Sequence, residues 1–356
     1  MAAEIATTDA DGPHARLTPA DLPSDARGHL FRRTCSERWK YSHGLARWLA
    51  AHVRDYDLIH IHAVWSFATM AAARAARRHD VPYIIRPAGM LSAYTWRRRH
   101  WSKRLYWNAI ERRNVAQAAA IHVTSQAEAT EVRIAHPAAK TCCIPNGVED
   151  SAFTHPRDVN ALRRRCGPAA DDKPILLFLS RLHPKKGIID RLLPAIAAMR
   201  EPCCLAIAGG PDPHAAGHEA EIHAAVRKLS LQQQVVMLGN IAGVDRWQLF
   251  DGAAAFVLPS HSENFGIVVA EALARGCPVV VTAAVQSAEH VALAGAGAVV
   301  TGEPRELAAT LDDLLANQPD ARAFAEAGAT YAATHFRWSN IAPQIAKMYD
   351  DIAPPS

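Results

Sequence analysis

Near the C-terminal end of this 356-residue chain two carboxylates, Glu263 and Glu271, stand eight residues apart in the string Pro259-Ser260-His261-Ser262-Glu263-Asn264-Phe265-Gly266-Ile267-Val268-Val269-Ala270-Glu271. The pattern places Glu263 in a loop after the apolar run 253–258, and Glu271 about two turns into a helix that opens near Phe265. At that spacing both side chains can face one ligand. The helix N-terminus between them offers free backbone N–H groups, which suit a diphosphate. Gly266, between Phe265 and Ile267, permits close approach of the backbone to such a group. A carboxylate at Glu271, between Ala270 and Ala272 in an apolar helix, can accept two hydroxyl hydrogen bonds, as a ribose offers.

Two cations, Arg181 and Lys186, follow the apolar run 175–179, in a loop that enters a helix through Gly187. They can be a solvated basic loop, or they can offset the charge of a departing nucleotide diphosphate. Their place beside the carboxylate motif favours the second. The loop is not a Walker A sequence, because no Gly-Lys-Ser/Thr follows. Gly209 and Gly210 end a strand and either form a simple turn or line a nucleotide pocket. Asn146-Gly147 reads as a turn near a domain junction. His62 and Arg86 end two further strands; each is a candidate for touching an acceptor or a satisfied structural group. No Gly-x-Gly-x-x-Gly follows a strand, which argues against a hydride-transferring dinucleotide enzyme.

These residues need elements to hold them. From Asp57 the chain alternates strand and helix: strands over 58–62, 82–86, 119–124 and 142–145, helices over 67–79, 101–117 and 128–135. A polar helical connection over 156–166 leads to a second series, with strands over 175–179, 203–208, 235–238, 254–258 and 279–282, helices over 188–199 and 220–229, and a last helix over 341–352. Alternation of this kind implies right-handed crossovers and parallel sheets, so two such series give two doubly wound α/β domains. Ligands then bind at the carboxyl ends of the strands.

Hydrophobic residues make up 49% and charged residues 21%, the balance of a soluble globular protein. No apolar run reaches the ~18 residues of a membrane span, and the first residues do not form a signal peptide. The seven cysteines include Cys142, Cys143, Cys203, Cys204 and Cys277 in or beside apolar runs. They read as buried thiols of a reducing cytosol, without metal-ligand spacing. Net charge is only +4, yet residues 96–113 interleave basic residues with Trp96, Trp101, Tyr106 and Trp107. This segment suits either an anionic membrane surface or a solvated basic helix whose aromatics enter a core. Nothing accompanies it that would indicate nucleic-acid binding.

The string from Ser262 to Ile267, its second glutamate, and Gly276-Cys277-Pro278-Val279-Val280-Val281-Thr282 after it together resemble the E-x7-E signature of retaining glycosyltransferase family 4, the group 1 transferases of GT-B fold. Ile144-Pro145-Asn146-Gly147-Val148, Ser180-Arg181-Leu182-His183-Pro184-Lys185-Lys186-Gly187 and Ala208-Gly209-Gly210-Pro211 occur in that family's order. The resemblance covers roughly residues 50–350 and is densest after 140. It implies an N-terminal acceptor-side domain over 1–165, a nucleotide-sugar domain over 166–338, and a C-terminal helix over 339–356 that crosses back. By the resemblance, Glu271 binds the ribose hydroxyls and Glu263 reaches the transferred sugar. A hexose moves with retention of configuration from a UDP- or GDP-linked sugar to a saccharide or lipid-linked acceptor, without a metal. The setting it implies is bacterial cell-surface polysaccharide assembly in the cytoplasm, at the inner face of the plasma membrane.

The N-terminal part departs from the family pattern. No strand with a Gly-rich loop precedes residue 50, and residues 4–12 look like the family's second strand, so the first strand, loop and helix are expected to be missing. Arg86-Pro87-Ala88-Gly89-Met90-Leu91 resembles a loop that often carries a sugar-contacting His where Ala88 stands. The alternative is therefore a nucleotide-sugar-binding homologue that is catalytically impaired or truncated.

Overall fold

The structure, a computed structural model, describes residues 2–12, 15–35, 39–97 and 100–354. The chain divides into two compact units, one of residues 1–144 with 344–356 and one of residues 145–343.

In the first unit, β1 (Glu4–Thr8) and β2 (Arg27–Phe31) pair in parallel as a sheet of their own. A second, all-parallel sheet takes β3 (Ile59–His62), β4 (Tyr83–Arg86), β5 (Ala120–Val123) and β6 (Thr141–Cys143) in chain order. β4 and β5 carry near-continuous apolar runs because both faces are covered. The crossover helix Phe67–Arg78 lays Ala73 and Ala76 into the core and begins at Ser66, whose Oγ accepts the Thr69 N–H at 3.3 Å. The helix expected over 101–117 is broken. It runs His100–Tyr106, widens to a π turn over Trp107–Glu111, and resumes at Arg112–Ala116. The cause is Glu111, 1% exposed, which turns inward to accept the Trp65 N–H at 2.9 Å and Asn114 Nδ2 at 3.0 Å.

The second unit holds one parallel sheet: β7 (Ile175–Leu179), β8 (Cys204–Ala208), β9 (Val235–Gly239), β10 (Ala255–Leu258), β11 (Val279–Thr282) and β12 (Gly297–Val300). Their order is β12-β11-β10-β7-β8-β9. The chain thus winds outward from β7 to β9, then returns to lay β10 on the other side of β7. The β7/β10 pair is the switch point of a doubly wound sheet, where strand carboxyl ends open a crevice.

Several expectations shift. The helices Ser151–Thr154 and Ala161–Cys166 bury Ala152, Leu162 and Cys166 in the core of the second unit, so the boundary falls at 144/145 and not at 165/166. Asn146-Gly147 is irregular chain and not a turn, and a Cβ on Gly147 would stand 2.5 Å from the Trp338 ring. The last helix starts earlier, at Trp338, and ends at Ile352. Cys203, Cys204 and Cys277 are buried as expected, whereas Cys142 and Cys143 on the edge strand β6 are only half-buried.

Candidate active site

The switch point is built from two loops. After β7 the chain passes Ser180, whose N–H bonds Ala208 O at 3.1 Å, and Leu182, whose N–H bonds Gly210 O at 2.9 Å. Gly209 and Gly210 therefore lie against the start of the Arg181 loop. At Gly209, with φ 152°, a Cβ would meet Ser180 O at 1.8 Å, so the approach itself requires glycine. After β10 comes the loop holding Glu263. His261 N–H bonds Lys185 O at 2.8 Å, and Thr282 Oγ1 donates to Ser260 O at 2.6 Å. A Cβ on Gly187 would meet Pro259 O at 2.3 Å, so the two loops pack backbone to backbone.

This packing brings Lys186 and Glu263 together. Lys186 Nζ donates to Glu263 Oε2, and both side chains are largely buried. Burial pulls the Lys186 ammonium below its ordinary pKa, and the Glu263 carboxylate acts against that pull. Arg181 takes a different partner: its Nη1 bonds Asp212 Oδ2 at 2.8 Å, while its side chain stays 62% exposed and Asp212 is buried. Burial pushes the Asp212 carboxyl up, but the His214 N–H and the Arg181 charge outweigh it and leave the pKa lowered.

Beyond Glu263 the helix opens at Ile267, two positions past Phe265. Gly266, at φ 69°, caps a helix that runs Ile267–Ala274, so Glu271 is its fifth residue and lies little more than one turn in. Glu263 lies in a loop, as expected, whereas the two helical turns expected before Glu271 are little more than one. The carboxylates have separate cationic partners: Glu263 has Lys186, and Glu271 Oε1 lies 3.3 Å from Arg246 Nη2. Phe265 is 1% exposed, edge-on to Phe336 and His290, so its side chain anchors the loop. Near the helix start the buried Ser260 Oγ, Asn264 Oδ1 and Ser287 Oγ have no hydrogen-bond partner among the described residues. Such atoms are costly to leave unpaired and mark where a polar ligand would be gained.

In the first unit, His62 and Arg86 are register partners at the ends of β3 and β4. The loop after Arg86 is tied down by the buried Glu128, which accepts the Gly89 N–H at 2.6 Å and the Thr124 N–H at 2.8 Å. Burial lowers the Arg86 pKa, with the Glu128 carboxylate opposing. Of segment 96–113, residues 98 and 99 lie outside the described residues. Trp96 and Trp107 pack around Trp65, and Tyr106 lies beside it, whereas Trp101 and Leu105 are 77% and 71% exposed.

Asp212, Arg246, Glu149 and Glu128 were not anticipated. Nothing local marks them; each matters through a partner at least several turns of chain away. Among the described residues, no group of three or more His, Cys, Asp or Glu side chains is placed to hold a metal ion.

A doubly wound parallel sheet with cations and carboxylates at its switch point defines a nucleotide-handling α/β enzyme. The comparisons specify which. Residues 162–331 match the family model described as Glycosyl transferases group 1, and residues 2–147 match the Glycosyl transferase 4-like domain. The D-inositol 3-phosphate glycosyltransferase of Stackebrandtia nassauensis is 31% identical over 96% of this chain and 76% of its own. That of Kineococcus radiotolerans is 29% identical over 96% and 79%. In structure, sucrose-phosphate synthase from Thermosynechococcus elongatus matches with TM-score 0.78 at 22% identity, covering 98% of this chain and 88% of that one. Anabaena HepE in complex with UDP and glucose matches with TM-score 0.76 at 22% identity, covering 92% and 87%. The chain belongs to the group 1 glycosyltransferases, with the GT-B fold, and is a glycosyltransferase enzyme.

Proposed function

We propose that this enzyme moves a hexose, with retention, from a nucleotide-diphosphate sugar to a saccharide or lipid-linked acceptor in cell-surface polysaccharide assembly. The buried Lys186–Glu263 pair at the β7/β10 switch point carries the reading. In it, Glu271 takes the ribose, the backbone at Phe265, Gly266 and Ile267 takes the diphosphate, and Gly209 and Gly210 line the nucleotide. The C1–O bond to the β-phosphate breaks as the acceptor oxygen bonds C1 on the same face. The acceptor proton passes to the departing phosphate. Lys186 and Arg181 offset the charge gathered there, and Glu263 holds the sugar hydroxyls. His62 and Arg86 serve the acceptor. No step calls for a metal.

The complex of HepE with UDP and glucose supports UDP as the donor nucleotide. The named activity of the D-inositol 3-phosphate relatives favours a second acceptor class, a phosphorylated polyol. The reading includes a cytoplasmic place at the inner membrane face, through Trp101 and Leu105.

Thermal unfolding with UDP and with GDP tests the donor site. A ligand at ~100 times its dissociation constant stabilises by about 2.7 kcal/mol. The midpoint should rise with one nucleotide in the wild type and not in Glu271→Ala. No rise with either nucleotide would overturn the donor assignment. If binding is seen without turnover of UDP- or GDP-sugars, the impaired-homologue reading prevails.

A further inference from the structure

Arg246 is paired with Glu271, yet the mechanism above gives it no task. It sits in the helix Asp245–Asp251 with its guanidinium carbon 4.1 Å from the centroid of the fully buried Trp247 ring. Its Nη2 is shared, 2.8 Å from Glu149 Oε1 and 3.3 Å from Glu271 Oε1. The two carboxylates differ: the Glu149 side chain is 61% exposed and that of Glu271 only 11%. An exposed ion pair contributes little, while a charge facing a buried carboxylate acts strongly on it. The approach of Arg246 to Glu271 is through Oε1, and Arg246 Nε is buried without a hydrogen-bond partner among the described residues. The guanidinium is thus held chiefly by its stacking on Trp247, and its Nη2 reaches one oxygen of Glu271.

We propose that Arg246 is a positioning residue of the donor site, which keeps Glu271 an ionised acceptor, engages its Oε1 and presents its Oε2 to the vicinal hydroxyls of a nucleoside diphosphate. The proposal rests on the donor reading above. A protonated Glu271 would offer a donor where two hydroxyl donors need an acceptor. Burial pushes the Glu271 carboxyl up and leaves it raised on balance, Arg246 opposes that push, and the Glu149 charge adds to it; these are the two charged groups acting on it. Without Arg246 both remaining influences favour the proton. A flexible ammonium could supply charge but not the stacked, planar fork.

The test is calorimetric titration with UDP, or GDP where UDP is not bound, on wild type, R246M, E271Q and R246M/E271Q at about pH 8 and about pH 6. R246M should weaken nucleotide binding about tenfold at the higher pH and by a larger factor at the lower, measured against the wild type at the same pH so that titration of the nucleotide's own terminal phosphate cancels. In the E271Q background, R246M should change affinity less than about twofold, because the residue acts through Glu271. Equal losses in both backgrounds, or a loss independent of pH, would overturn the proposal. R246K keeps the charge without the fork. It should keep the wild-type response to pH with weakened affinity, and it carries the test if R246M does not fold. A wild type that binds neither nucleotide removes the donor reading and this proposal with it.

Discussion

Arg275 shows what a single residue contributes away from the chemistry. Its side chain is 2% exposed and that of its partner Asp251 0%, with Nε to Oδ1 at 2.9 Å and Nη2 to Oδ2 at 2.7 Å. Nη1 donates to Ala152 O at 3.0 Å and His155 O at 2.9 Å, so every edge of the guanidinium is used. Breaking such a pair from one side strands a buried charge, at a cost of about 3–5 kcal/mol. Asp251→Asn should lose that much in urea unfolding of the full chain; a loss under about 1 kcal/mol would show that the pair is dispensable. At this scale the sequence was uneven evidence. Glu263 and Glu271 were legible because carboxylates in an apolar segment demand a reason, and Lys186 because it follows a strand end. Arg246 was not, since its partner comes from 25 positions later through a fold contact. Arg181 was legible as a cation, but nothing near it indicated that Asp212 would hold it.

Among elements, the end of the last helix is tied to the first unit's sheet by a directional chain of hydrogen bonds. Ile144 O can only accept, so His122 Nε2, at 3.0 Å, carries the proton. Neutral His122 then accepts at Nδ1 from His60 Nε2 at 3.4 Å, and His60 Nδ1 accepts from Tyr349 OH at 2.6 Å. Burial holds His60 down at about 2 and His122 at about 4, with His62 and the Arg86 guanidinium adding to the effect on both. The unfolded chain protonates these rings near pH ~6.5, the folded chain does not. Their contribution is therefore full above that pH and is lost as pH falls toward about 4. The urea midpoint of the wild type should drop more steeply than that of His122→Gln between those limits; parallel curves would refute the assignment. The strands 175–179 and 279–282 were readable to the residue because a strand covered on both faces is a bare apolar run. The π turn at Trp107–Glu111 was not, because it answers to Trp65 and Asn114 reached only by folding.

For the molecule as a whole, a net charge of +4 is too small to hold it at an anionic surface without local concentration. No helix among the described residues is long and apolar enough to cross a membrane. Trp101 and Leu105 lie one turn apart, exposed, with the exposed Arg104, Arg112 and Arg113 nearby in sequence. Trp65, Trp96, Tyr106 and Trp107 are occupied with one another, so the segment divides its aromatics between core and surface. Sedimentation with phosphatidylglycerol vesicles should carry the wild type down at low salt, and Trp101→Ala/Leu105→Ala much less. Equal sedimentation with phosphatidylcholine, or no effect of the double substitution, would remove the membrane from the account. Two parallel sheets were legible because strand and helix alternate along the whole chain; where one unit stopped was not. The helices Ser151–Thr154 and Ala161–Cys166 are polar enough to read as linker and apolar enough, at Ala152 and Leu162, to join a core.

The loop after β4 separates a backbone shape from the side chain that the shape displays. Ala88 sits at φ 52°, next to Gly89 at φ 74°, and its side chain is exposed. Alanine gains nothing in that left-handed conformation, whereas histidine is among the residues enriched there. Glu128 fixes the loop through Gly89, whatever side chain its neighbour carries. In evolutionary terms the imidazole and the backbone that would display it are separable traits. A lineage can lose the first, keep the second under selection for stability alone, and recover the side chain later without rebuilding the loop.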